Sequence, residues 1–277
     1  MKFTWKHLTA LALTGVLVLL MYLLPLKQKT KDSEIKKPSI SGFETSLIRI
    51  KALLQGTEKV KLSKLESSEG LKNGDTSALK ALGVFWDSIG QPVISAHYYE
   101  EIAKKYPNEK SCLDAAYRYF DAFKMTENPN ERQEMVQKAM EAYQNVLTYN
   151  AQNLDASCDL GVLYAEGTSE PMKGIMMLRD VIAKNPKHEN AQLNLGLLSL
   201  KSNQLPKAID RFQKVIEINP KNDKAGFLLA NTYLQAGEKE KAIKAFQELK
   251  RRTSNIELKE EIDKYILQIE IDTNIKK

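Results

Sequence analysis

Two cysteines in 277 residues are too few for a disulfide framework, so the fold has to be held by a core. Only three histidines are present, His7, His97 and His188, and they are scattered along the chain, which leaves no shared imidazole site for a metal. There is no Gly-x-Ser-x-Gly elbow, no His-Glu-x-x-His, no phosphate loop and no dinucleotide fingerprint. These absences point away from an enzyme, and no cofactor or metal is expected. An excess of charge is also missing where it would matter. The formal net charge is +6, but residues 1–37 hold seven Lys and two acids, which leaves 34 basic against 33 acidic residues in 38–277. The basicity belongs to the amino-terminal flank, and no basic face interleaved with aromatics follows it, so nucleic acid is not an expected partner.

One long run without charge is present. Residues 8–26 form 19 uncharged positions, about 28 Å as a helix at ~1.5 Å per residue, enough to cross a hydrocarbon core. Lys2, Lys6 and His7 precede it, and Lys27, Lys29, Lys31, Lys36 and Lys37 follow. The run ends Tyr22-Leu-Leu-Pro-Leu26 with no small pair for cleavage, so an uncleaved signal-anchor in residues 1–26 is preferred to a removed signal peptide. The expectation is a single-pass, inner-membrane protein. Five lysines behind the span favour a cytoplasmic carboxyl side; the short basic tail before an apolar run favours export, and a periplasmic or external placement is the reading adopted. Residues 27–42, charged and carrying Pro38, read as a tether.

Beyond the tether a pattern recurs. A Leu-Gly pair, an aromatic or apolar residue, a turn with Gly or Asn, a small residue, an aromatic or Leu four later and a Pro appear in order at Leu82, Gly83, Trp86, Gly90, Ser95, Tyr99, Pro107; at Leu160, Gly161, Tyr164, Gly167, Gly174, Leu178, Pro186; and at Leu195, Gly196, Asn203, Ala208, Phe212, Pro220. Pro186 and Pro220 are 34 residues apart, the period of a helix-turn-helix array. The small residues are expected to meet across each hairpin, Gly83 with Ser95, Gly161 with Gly174, Gly196 with Ala208 and Ala230 with Ala242, so that no Cβ bulk separates the two helices. Pro ends each second helix because it supplies no N–H and clashes with the preceding turn.

These motifs resemble the tetratricopeptide repeat (TPR) family. The expectation is an all-α TPR-type solenoid with units 76–109, 110–153, 154–188, 189–222 and 223–256. The second unit fits only with a ten-residue insertion around Met125 and Arg132, with Ala116-Tyr117 where Leu-Gly belongs. In the third, residues 167–171 form a turn one residue longer than usual. Segments 43–75 and 257–277 are expected to cap the ends, since an array needs its apolar edges covered. Cys112 and Cys158 fall early in the first helices of successive units, whose axes lie about 8–10 Å apart. A disulfide needs Cα atoms within ~6.8 Å, so two buried thiols are preferred to a bridge. His97 on a second-helix surface and His188 in an inter-repeat turn are expected to be solvated.

The resemblance also implies a binding face, because first helices of TPR units line a concave groove. The outward positions fall on Ser77, Lys80, Val84, Asp87 and Ser88; on Asp155, Cys158, Val162, Ala165 and Glu166; on Asn190, Leu193, Leu197, Leu200 and Lys201; and on Lys224, Phe227, Asn231, Leu234 and Gln235. Lys80 is followed by Val84 and Asn231 preceded by Phe227, so the Lys-Asn clamp of the carboxylate-binding subfamily is absent. Lys80, Val84, Asp87, Val162, Glu166, Leu193, Leu197, Leu200, Phe227, Asn231 and Leu234 are the expected partner-binding residues. The groove is polar at one end and apolar at the other, where it suits an apolar helix or extended segment of another protein. The functional expectation is a membrane-tethered scaffold in bacterial envelope assembly. The alternatives are a self-associating structural protein whose groove binds a neighbouring copy, and an assembly factor similar to the TPR parts of cytochrome c maturation.

Overall fold

The structure, a computed structural model, describes residues 42–274. The expected anchor at 8–26 and most of the tether lie outside the described residues. Among the described residues there are only helices, and no helix is long and apolar enough to cross a membrane. Three short ones come first, α1 (Gly42–Leu53), α2 (Gly56–Glu66) and α3 (Glu69–Lys72). Five antiparallel hairpins follow: α4 (Thr76–Ser88) with α5 (Pro92–Lys105), α6 (Glu109–Met125) with α7 (Pro129–Tyr149), α8 (Leu154–Gly167) with α9 (Pro171–Lys184), α10 (Glu189–Lys201) with α11 (Leu205–Ile218), and α12 (Asp223–Gln235) with α13 (Lys239–Arg252). Helix α14 (Ile256–Asn274) packs on the last hairpin.

Local chemistry sets the boundaries. Each first helix of a hairpin is N-capped by a side chain that accepts a backbone N–H: Asp75, Asn108, Asn153, His188 and Asn222. Four of the second helices carry a Pro in their first two positions, Pro92, Pro129, Pro171 and Pro206, where a missing N–H costs nothing, and α7 is capped by Asn128 as well. Gly90, Asn203 and Gly237 take left-handed φ of 69°, 56° and 76° and close three of the turns.

The small residues work in two ways. A Cβ on Gly161 would lie 3.2 Å from the Gly174 carbonyl oxygen, and one on Gly174 would come within 2.5 Å of the Ala165 nitrogen, so α8 and α9 touch backbone to backbone. In α4 and α10 the glycine instead makes room for a ring one turn further along the partner helix. A Cβ on Gly83 would be 2.6 Å from Tyr99, and one on Gly196 2.6 Å from Phe212. Ser95 meets Gly83 by donating its hydroxyl to the carbonyl at 3.0 Å. The aromatic four residues after the small one is thus the group these glycines accommodate.

The second hairpin departs from expectation. Its turn, residues 126–128, is as short as the others, and the extra length is helical: α6 has 17 residues and α7 21, against 13 and 14 in the first hairpin. The prolonged tip lays Val136 on Gly167, where a Cβ would sit 2.7 Å from Cγ2 of Val136. Gly167 is the last residue of α8 rather than part of a turn, and its lack of a side chain serves packing.

Apolar seams run between successive hairpins. Leu54, Leu62, Phe43, Leu47 and Ile50 close over Leu82, Phe85, Trp86 and Ile94. At the far end Ile262, Ile266 and Ile269 of α14 cover Ala230, Phe246 and Leu249. His97 is no solvated surface residue: Phe43 stacks on its ring with centroids 3.6 Å apart. Cys112 and Cys158 are buried free thiols, and burial pushes Cys158 up to about 12, which makes it inert at neutral pH.

Candidate protein-binding groove

The first helices α4, α8, α10 and α12 carry the residues expected to line a groove, and packing divides those residues into three groups. One group is packed into the seams. Val162 is 2% exposed in the seam with Cys158, Leu178 and Leu195, and Leu193 is 9% exposed against Phe212 and Leu229. Phe227 lies edge-on to Phe246 and Tyr265, with centroids 5.7 and 5.5 Å away, beneath α14. Val162 and Leu193 are corrected from groove to core, because the neighbouring helix covers the position that the family pattern turns outward, while Phe227 is only partly buried.

A second group is engaged within the chain. The Arg118 guanidinium lies 3.8 Å over the Tyr99 ring and bonds Asp87 through Nη2 at 3.1 Å, tying α6 to α4. Lys124 reaches Glu166 at 2.6 Å and ties α6 to α8. Asn231 folds back to donate to the Phe227 carbonyl at 3.2 Å. The third group stays available: Lys80 and Val84 are exposed, Val84 at 51%, and Leu197, Leu200 and Leu234 are partly exposed at the edges of the last two seams.

Other polar side chains form a ladder that sequence reading missed. An acid in the first turn of one first helix is held by the loop before the next: Glu109 by Asn150 and Asn153 at 2.9 Å each, Asp155 by His188 at 3.2 Å, Glu189 by Asn219 at 3.0 Å and Asn222 at 2.6 Å, and Asp223 by Thr253 at 2.6 Å. His188 is buried; its Nδ1 accepts from the Ala191 N–H at 3.3 Å, so Nε2 carries the proton facing Asp155. Asp155, Glu189 and Asp223 recur every 34 residues, a signal present in the sequence beside the Leu-Gly pairs.

With hairpins, seams and ladder in place, comparison with known proteins is informative. Residues 199–259 match one tetratricopeptide repeat model and residues 169–223 another. This stretch consists of tetratricopeptide repeats. A thermophilic TPR protein of Thermus thermophilus superposes with a TM-score of 0.51 at 16% identity, covering 69% of this chain and 99% of that one. PilW, described as a widely conserved type IV pilus biogenesis factor, gives 0.50 at 19% identity, covering 64% of this chain and 77% of its own. At such identities the likeness is one of fold. No curated protein matches the chain.

The repeats hold one carboxyl group with unusual chemistry. Asp159 of α8 accepts a hydrogen bond from the Tyr143 hydroxyl at 2.9 Å, and burial, with the charges of Asp155 and Asp121 adding to it, pushes its pKa up to about 6. Glu100 shows the opposite outcome. Burial acts to raise it, but bonds from Lys138 at 2.8 Å and the Tyr119 hydroxyl at 2.9 Å prevail and hold it below the usual carboxylate range. Among the described residues no group of three His, Cys, Asp or Glu is placed to hold a metal ion.

Proposed function

We propose that this chain is a tetratricopeptide repeat scaffold, tethered to a membrane through residues 8–26, that captures a segment of another protein on the inner faces of α8, α10 and α12. The observation that carries this is the row Leu197, Leu200 and Leu234, which stays partly exposed at the seam edges while the neighbouring Leu193 is buried. Stacked repeats of this kind create extended concave surfaces, and aliphatic residues left on such a surface are an anchor for a partner. The tether is supported by the uncharged run and its lysine flanks.

The test is capture from solubilised membranes by the full chain and by a Leu197→Asp, Leu200→Asp variant. The variant should keep its helical circular dichroism and lose the proteins that the parent retains. Equal recovery by both would place binding elsewhere. A reporter that is active only after export, fused behind Lys277, tests the side of the membrane; activity supports an external repeat domain, and a reporter active only in the cytoplasm overturns it.

A further inference from the structure

Both ends of the array are capped, and each cap leaves a second apolar face uncovered. At the carboxyl end Leu258, Ile262, Ile266 and Ile269 of α14 turn toward the last hairpin. The opposite side of the same helix carries Ile256, Leu267 and Ile271, all exposed, Ile256 at 73%. Their spacing, with Glu260 between them, puts them on one helical face. At the amino end α1 packs on α5 and α2 on α4, and Lys51 of α1 reaches Glu66 of α2 at 2.5 Å. Phe43, Leu47, Leu54 and Leu62 turn inward there, while Ile48, Leu53 and Val60 stay exposed, Val60 at 71%. A cap that only had to close a seam would be polar on its outer side.

Charge distinguishes the two ends. Helices α1 and α2 hold five basic residues against three acids, and Arg49, Lys59, Lys61 and Lys64 are exposed. Helix α14 holds six acids against two lysines, with Glu257 and Glu260 exposed beside Ile256. Two amino-terminal caps would set lysine against lysine, and two α14 helices acid against acid; only unlike ends match. We propose that the occupant of each end is the opposite end of a second copy of this chain, so that α1 and α2 of one molecule seat on α14 of the next. The stack of helices then continues across the junction, and the aliphatic residues of both caps are covered. Such a contact is heterologous and grows by addition at its free ends. It uses neither Leu197 nor Leu200, so it stands apart from the groove.

The experiment is sedimentation velocity of the full chain in detergent over a concentration series. The parent should pass from monomer to longer species as concentration rises, and about 0.5 M salt should weaken the association. Arg49→Glu with Lys64→Glu, and separately Glu257→Lys with Glu260→Lys, should each raise the midpoint concentration about tenfold or more with unchanged circular dichroism. Mixing the two variants should restore association, because each then offers the end that the other lacks. Leu267→Asp should weaken association in the parent, and Leu200→Asp should leave it unchanged. A parent that stays monomeric overturns the inference, since the two ends then meet other partners. So does a mixture that associates no better than its parts, and so does loss of association in Leu200→Asp, which would assign the contact to the groove.

Discussion

Helices α10 and α11 solve the packing of a helical hairpin with a missing side chain, while α6 and α7 solve it with added length. In the former, Gly196 gives up its Cβ so that the Phe212 ring can close on the backbone. In the latter, Tyr117 occupies the corresponding position and rests edge-on against Tyr143, with centroids 6.2 Å apart, and the contact is spread along helices of 17 and 21 residues. The α10–α11 hairpin lies inside the segment that matches TPR models, residues 169–259, and the long hairpin outside it, although the same glycine-for-ring solution recurs outside it at Gly83 and Tyr99. A repeat pattern is therefore a record of one packing solution, and the same architecture continues where another solution replaces it.

The strongest way to break this contrast is to exchange the demands of the two sites. Gly196→Leu should destabilise by about 3 kcal/mol or more, because the added bulk meets Phe212 and Arg211 within a closed hairpin. Tyr117→Ala, at the matching position but 36% exposed, should cost only about 1 kcal/mol. Urea midpoints decide it, and equal losses would mean that the two hairpins pack alike.

Asp159→Asn comes next and carries a sign. An acid whose folded pKa is raised to about 6 from 3.8 lets the folded state hold its proton more tightly, so the stability it contributes is full below pH 3.8 and is lost as pH rises through 6. The asparagine variant escapes that loss. It should match the parent near pH 4 and lead it by on the order of 2 kcal/mol at pH 7.5. Denaturation at the two pH values checks this, and a variant less stable at pH 7.5 would mean that the carboxylate is already compensated.

The period, the prolines and the small residues were legible because each follows from a rule that acts within one hairpin. What the sequence concealed depends on neighbours. Gly167 resembles a turn glycine, and only the length of α7 shows that Val136 needs its space. Asp87 and Glu166 resemble a polar groove until Arg118 and Lys124, on a different hairpin, are found bonded to them. Leu193 and Leu197 are chemically identical; the adjoining helices bury one and leave the other at a margin. His188 looks like a solvated turn residue in the sequence because its acceptor, Asp155, stands a whole repeat earlier.

Smaller effects sharpen the comparison at its boundary. Gly167→Ala should cost about 1–2 kcal/mol by pushing on Val136, and much of that loss should be absent when Val136→Ala is already in place. Additive losses in the double-mutant cycle would mean that the long tip does not press on α8. Lys124→Met removes an ion pair whose lysine side chain is 40% exposed and should change stability by less than about 1 kcal/mol, with the difference shrinking further in high salt.

The central claim is that one row of leucines remains as a surface while its neighbours became core, and paired thermal melts with partner capture test it most directly. Leu193→Asp should unfold the carboxyl-terminal repeats, because Leu193 is buried against Phe212 and Leu229. Leu200→Asp should melt within a few degrees of the parent and yet lose the captured protein. Equal collapse of the two variants would make Leu200 part of the core, and a folded Leu200→Asp chain that still holds its partner would show that this row is not where the partner binds.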